Sequence, residues 1–164
     1  MNSKKTIAIV PGSFDPITNG HMFIINEASK RYDKVYVAVM INPNKSYTFS
    51  LDERKKIASI AVKNIANVEV ISSEGWLYEL ANDLGADAIV KGYRNNVDLE
   101  YEKSMAEFNE KHAPNTKTVL IESPAELSDV SSTLVRQMIS NTESIEGLLP
   151  PNALYEIQKI LSTK

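Results

Sequence analysis

Apolar residues along this chain fall into two spacings that alternate from end to end. Short runs with little polar interruption occupy residues 7–10, 35–41, 68–71, 88–91 and 118–121, and their β-branched content suits strands buried on both faces. Between them the apolar positions recur at helical spacing. Residues 22–31 bring Ile24, Ile25 and Ala28 to one face. Ser50-Leu51-Asp52-Glu53 reads as a capping box opening a helix to about residue 65. A helix over 76–84 ends at Gly85 as its C-cap, and one opened by Asp98 runs to about 111. Ser131-Ser132-Thr133 is a good N-cap for a helix carrying Leu134, Val135 and Met138. After Pro150-Pro151, a last helix over about 152–161 sets Leu154, Ile157 and Leu161 on one stripe. Alternation of this kind predicts an α/β fold, a doubly wound, right-handed sheet of five parallel strands.

Composition narrows the picture. A chain of 164 residues makes one domain of ordinary size, spanning 1–164, with no repeat or linker that would call for a second core. Its 43% hydrophobic and 24% charged residues are those of a globular protein, and a net charge of −3 gives no sign of nucleic-acid or membrane-surface binding. With no cysteine there is no disulfide, thiolate metal site or cysteine nucleophile. The start, Met1 to Lys5, carries two lysines, but the apolar run after it stops at Pro11. That is too short for a secretory or membrane-spanning segment, so a cytoplasmic protein is expected.

The most informative stretch joins the first strand to the first helix: Pro11-Gly-Ser-Phe-Asp-Pro-Ile-Thr-Asn-Gly-His21. Such a turn lies at the carboxyl end of the sheet, where open α/β folds bind ligands, and a helix start offers free N–H groups to an anion. Gly12 is expected to let the backbone come close to a bound group, Pro11 and Pro16 to stiffen the path, and His21 to stand in the helix's first turn beside the anion. Neither a Gly-x-x-x-x-Gly-Lys-Ser/Thr loop nor a Gly-x-Gly-x-x-Gly fingerprint is present.

Other strand ends repeat the theme. Lys45 follows the second strand in Asn42-Pro43-Asn44-Lys45, Gly92-Tyr93-Arg94 follow Lys91 at the fourth, and hydroxyl-bearing residues of the segment Leu127-Ser128-Asp129-Val130-Ser131-Ser132-Thr133 follow the fifth. Each residue has an ordinary reading too: a solvated lysine, a helix cap, acids favouring a helix dipole. No carboxylate pair, serine triad or metal-ligand cluster competes with this set. Gathered at one edge, it suits transfer between phosphorylated molecules, because phosphoryl oxygens need cations or donors as a leaving group departs.

Thr18-Asn19-Gly20-His21 resembles the Thr/His-x-Gly-His signature of the nucleotidyltransferase superfamily, whose fold is Rossmann-like. The longer string Gly-Ser-Phe-Asp-Pro-Ile-Thr-Asn-Gly-His is similar to that of the bacterial phosphopantetheine adenylyltransferases. The resemblance covers nearly the whole chain. It implies transfer of the adenylyl group of ATP to 4′-phosphopantetheine with Mg²⁺ held mainly by the ATP phosphates, and a homohexamer built as a dimer of trimers. Coenzyme A is implied as a candidate feedback inhibitor.

Residue roles follow from the same resemblance. His21, Lys45 and Arg94 are the catalytic set. The nucleotide falls to Ser13, Phe14, His21, Gly92, Tyr93, Arg94, Glu102 and residues 127–133, that is Leu127, Ser128, Asp129, Val130, Ser131, Ser132 and Thr133. The acceptor falls to Ser13, Lys45, Leu77 and Lys91, with an ordinary core leucine the other reading of Leu77. The chain departs from the family's pattern twice: Lys91 stands where arginine is usual, and Leu127 and Asp129 replace aromatic residues. A cytidylyl or nicotinamide-nucleotide transferase on the same scaffold, and a nucleotide sensor without activity, are the alternatives.

Overall fold

In a computed structural model, which describes residues 4–164, five strands form one all-parallel sheet: β1 (Ile7–Gly12), β2 (Lys34–Met40), β3 (Val68–Ser73), β4 (Ala88–Tyr93) and β5 (Lys117–Glu122). Residues 1–3, the beginning of the lysine-bearing start, lie outside the described residues. The helices are α1 (Asn19–Arg31), α2 (Leu51–Ala61), α3 (Leu77–Leu84), α4 (Asn96–His112), α5 (Ser132–Ser140) and α6 (Pro151–Ser162).

Strand order is β3-β2-β1-β4-β5, so the chain winds outward from β1 in one direction and from β4 in the other. Alternation along each strand then feeds two cores. Ala8 and Val10 of β1, Val35, Val37 and Val39 of β2, and Ala88 and Val90 of β4 point into one. That core is closed by Ile24, Ile25 and Ala28 of α1, Ile57 and Ala58 of α2, Val135 of α5, and Ala153 and Ile157 of α6. Ile9, Ala38 and Ile89 point the other way, onto Ala81 of α3 and Ala113 after α4. Helices on both faces are what a sheet with apolar residues on both sides requires.

Several boundaries differ from the expected ones. The second helix stops at Ala61, because the chain turns at Val62, whose carbonyl accepts from Ile65 N–H at 2.9 Å. Gly92 and Tyr93 belong to β4 itself, paired with Ile121 and Glu122 of β5. The fourth helix begins before Asp98: Asn95 is its cap, its side-chain oxygen accepting from Asp98 N–H at 2.9 Å. A short 3₁₀ turn, Ala125–Leu127, was not expected.

Candidate active site

Where the strand order reverses, β1 lies beside β4, and the loops leaving their carboxyl ends part to leave a crevice. A cavity of about 490 Å³ occupies it. Its walls bring together Ser13, Phe14 and His21 after β1, Lys45 after β2, Lys91, Gly92 and Arg94 at β4, Glu102 of α4, and Val130, Ser131, Ser132 and Thr133 after β5.

The first loop is built around a buried phenylalanine. Phe14 is 1% exposed and adopts a left-handed backbone, φ 48°, which costs a non-glycine residue about 1–3 kcal/mol. Its ring stands edge-on to His21, centroids 4.9 Å apart. A Cβ on Gly12 would come within 3.2 Å of that same ring. The space Gly12 leaves is therefore taken by Phe14, not by the close approach of a ligand expected from the sequence. Gly20 serves a different approach: a Cβ there would meet the Val130 carbonyl at 3.2 Å, so the glycine lets the loop after β5 close on the start of α1.

His21 is at the third position of α1, and its Nδ1 accepts the Thr18 backbone N–H at 3.0 Å. It fills the place that Glu or Gln takes in a capping box. An accepting Nδ1 puts the ring proton on Nε2. Burial first, and the positive Arg94 second, pull the imidazole pKa down to about 4. His21 is thus a neutral hydrogen-bond donor at pH 7.

Cations dominate the rest of the wall although the chain as a whole is negative. Lys45, Lys91, Arg94 and Arg136 all line the cavity. Each acid among them is already engaged. Asp98 Oδ2 accepts from Arg94 Nε and from the Arg94 backbone N–H, both at 3.1 Å. Glu102 Oε2 lies 2.7 Å from Lys91 Nζ, close enough for a strong ion pair but outside hydrogen-bonding alignment. Asp15 is 1% exposed and takes the N–H groups of Thr48 and Phe49 at 2.9 Å each. Lys45 Nζ reaches Ser13 Oγ at 3.2 Å, which joins the ends of β1 and β2 across the cavity.

The hydroxyls after β5 are committed to the fold. Ser131 Oγ caps α5 by accepting from Leu134 N–H at 3.1 Å, and Ser132 Oγ donates to the Pro16 carbonyl at 2.7 Å. What this segment offers an anion is the first-turn N–H groups of α5, which have no intrahelical acceptor. Arg136, one turn into α5, donates to the Asp15 carbonyl at 3.0 Å and to Thr133 Oγ1 at 3.2 Å.

Other residues singled out from the sequence lie off the cavity wall. Leu77 begins α3 and is packed on the core under the opposite sheet face. Tyr93 ends β4, Leu127 closes the 3₁₀ turn, Ser128 Oγ donates to the Ala125 carbonyl at 2.8 Å, and Asp129 is exposed. Conversely, Asp15, Thr18, Asp98 and Arg136 line the cavity although the sequence pattern did not mark them as site residues. All four carried a signal: Asp15 and Thr18 lie in the stretch from Pro11 to His21, Asp98 is four residues from Arg94, and Arg136 is one helical turn from Thr133. Among the described residues no group of three or more His, Asp or Glu is placed to hold a metal ion.

Residues 9–138 match the model of the family described as cytidylyltransferase-like. The chain is 41% identical to a phosphopantetheine adenylyltransferase of Lactobacillus acidophilus, over 95% of this chain and 98% of that protein. It is 41% identical to one of Clostridium tetani, over 96% and 99%. One of Alkaliphilus oremlandii is 44% identical over 92% and 96%. Matches that run through all five strand ends, on a sheet whose switch point gathers a neutral histidine and four cations, make this chain a member of the phosphopantetheine adenylyltransferases, within the cytidylyltransferase-like nucleotidyltransferases.

Proposed function

We propose that the protein transfers the adenylyl group of ATP to the 4′-phosphate of phosphopantetheine, releasing pyrophosphate and forming dephospho-coenzyme A. The observation that carries the reading is the cavity wall. A neutral donor at His21 stands among Lys45, Lys91, Arg94 and Arg136, delivered by separate strand ends, while every lining carboxylate is tied to a cation or to backbone N–H groups.

An acceptor phosphate oxygen attacks the α-phosphorus, and the bond from that phosphorus to the oxygen bridging to the β-phosphate breaks opposite it. The bonding pair leaves with pyrophosphate. A phosphate is a competent nucleophile at neutral pH, so catalysis is positioning and charge stabilisation. Lys45, with Ser13, orients the attacking phosphate. His21 donates from Nε2 to the α-phosphoryl oxygens as their charge grows. Arg94 and the first-turn N–H groups of α5 take the β- and γ-phosphates.

Mg²⁺ is proposed as the cofactor, carried on the ATP phosphates. Support comes from the donor set: Asp98 and Glu102 are both paired to cations, which fits an ion coordinated by phosphate oxygens. When bound, it supplies neutralisation of the departing pyrophosphate. Lys91 is read as an acceptor-site cation that must be shared with Glu102.

Coenzyme A joins both substrates' parts in one molecule, so a cavity holding both supports feedback inhibition by occupancy. No described helix is long and apolar enough to cross a membrane. The setting proposed is the cytoplasm, with small-molecule substrates and no nucleic-acid partner. A homohexamer is proposed as the assembly. The outer stripe of α4, with Val97 80% and Tyr101 62% exposed, and the neighbouring Trp76 at 59%, supports burial against other copies.

The test is pyrophosphate release from ATP, Mg²⁺ and 4′-phosphopantetheine, with His21→Ala alongside. Release is expected to require the acceptor. It is expected to fall about 10²–10³-fold in the variant, the loss typical of one transition-state donor. Release without acceptor, or a variant within twofold of the parent, overturns the reading.

A further inference from the structure

We propose that Arg54 is a positioning residue for the acceptor site, a buried brace that sets Lys45 against Ser13 without touching substrate. The inference rests on the functional reading above for the identity of the acceptor. Arg54 stands one turn into α2 and is 2% exposed, and no ion pair to it forms among the described residues. A buried cation without a carboxylate carries a large desolvation penalty unless its donors are all satisfied.

Its partners show what satisfies it. Nη1 donates to the Ser13 carbonyl at 2.8 Å and to the Met40 carbonyl at 3.3 Å, and Nε donates to the Phe49 carbonyl at 3.2 Å. The guanidinium also lies 3.8 Å from the centre of the Tyr47 ring. These four residues are the loop after β1, the end of β2, and the far end of the loop that carries Lys45. Tyr47 closes that loop on itself, its hydroxyl accepting from Asn42 N–H at 2.9 Å.

From the other side Asp15 holds the N–H groups of Thr48 and Phe49. Lys45 therefore projects from a span pinned at both ends. An unbraced lysine on an exposed loop tip loses both side-chain and loop freedom when it grips a phosphate, and a brace removes most of that cost before binding. Only arginine suits the place, since a lysine ammonium cannot reach three carbonyls around a planar fork and stack on a ring as well.

The experiment uses the full chain with Arg54→Lys and reads three quantities: KM for phosphopantetheine, KM for ATP, and the rate of trypsin cleavage after Lys45 without substrates. KM for the acceptor is expected to rise about tenfold, the ordering cost of one long side chain and its loop. KM for ATP is expected to stay within about twofold, because His21, Arg94 and the start of α5 are held by other partners. Cleavage after Lys45 is expected to be about tenfold faster as the loop opens.

Tyr47→Leu removes the stacked ring from the loop side, leaves α2 intact, and is expected to give the same pattern. It decides the matter if Arg54→Lys does not fold. Equal rises in both KM values, an unchanged acceptor KM, or cleavage at the parent's rate overturns the brace. A parent that releases no pyrophosphate with phosphopantetheine overturns the acceptor assignment instead, and the cleavage rate alone then decides on Arg54.

Discussion

His21→Gln separates the histidine's place in the fold from its titration. Glutamine is a natural third residue of a capping box, so its side-chain oxygen can take over the Thr18 N–H now accepted by Nδ1 at 3.0 Å. What it lacks is a proton to bind. In the folded protein burial, reinforced by Arg94, holds the imidazole at about 4, whereas in the unfolded chain it titrates near its ordinary value of 6.5. Above 6.5 neither state is protonated and the group adds no pH dependence. Between 6.5 and 4 the unfolded chain binds a proton that the folded chain does not, so stability falls as the pH is lowered through that window.

The full window is worth about 3 kcal/mol, of which about 2.5 kcal/mol is lost by pH 4.5. The two proteins should differ by less than about 0.5 kcal/mol at pH 7.5, and the variant should gain about 2.5 kcal/mol over the parent by pH 4.5. Asp33 is held low first by the Thr6 backbone N–H, and Glu53 first by that of Ser50. Both titrate alike in the two proteins and cancel in the difference. Urea unfolding followed by far-ultraviolet circular dichroism at several pH values measures it. A difference that stays constant from pH 7.5 to 4.5 refutes a half-buried His21 that stays neutral in the folded protein.

Two further outcomes are expected. Arg94→Gln should raise the His21 pKa yet leave it below 6.5, since burial is the larger cause; with only two histidines in the chain, an NMR titration resolves it, and an unmoved value refutes the electrostatic contact. Gly92→Ala would set a Cβ 2.8 Å from Ile24 Cδ1 in the buried wall, costing about 1–3 kcal/mol and several degrees of Tm. An unchanged Tm would mean that Ile24 moves aside freely.

Periodicity, caps and turn residues are local features, so the sequence alone displays them. Five strand-length apolar runs and the helices between them need only neighbours within a few residues, and so do the cap at Ser50 and the stop at Gly85. Parallel alternation also tells which ends of the strands meet, and hence that Ser13, His21, Lys45, Lys91 and Arg94 share one edge. Strand order cannot be read this way: β1 beside β4 depends on pairings between residues about 80 apart in the chain. Only that order decides which loops face each other.

Tertiary packing also reassigned individual groups. Gly12 makes room for Phe14, the Ser131 and Ser132 hydroxyls are spent on a cap and on Pro16, and Lys91 is shared with Glu102. Leu77 went to a core on the other face of the sheet. Arg54, unremarkable on a helix in the sequence, became a buried link among three segments. A residue type states what a side chain is able to donate, accept or fill. Which partner it satisfies is settled by the non-local geometry of the fold, because a buried polar group must take whatever partner the packing brings within reach.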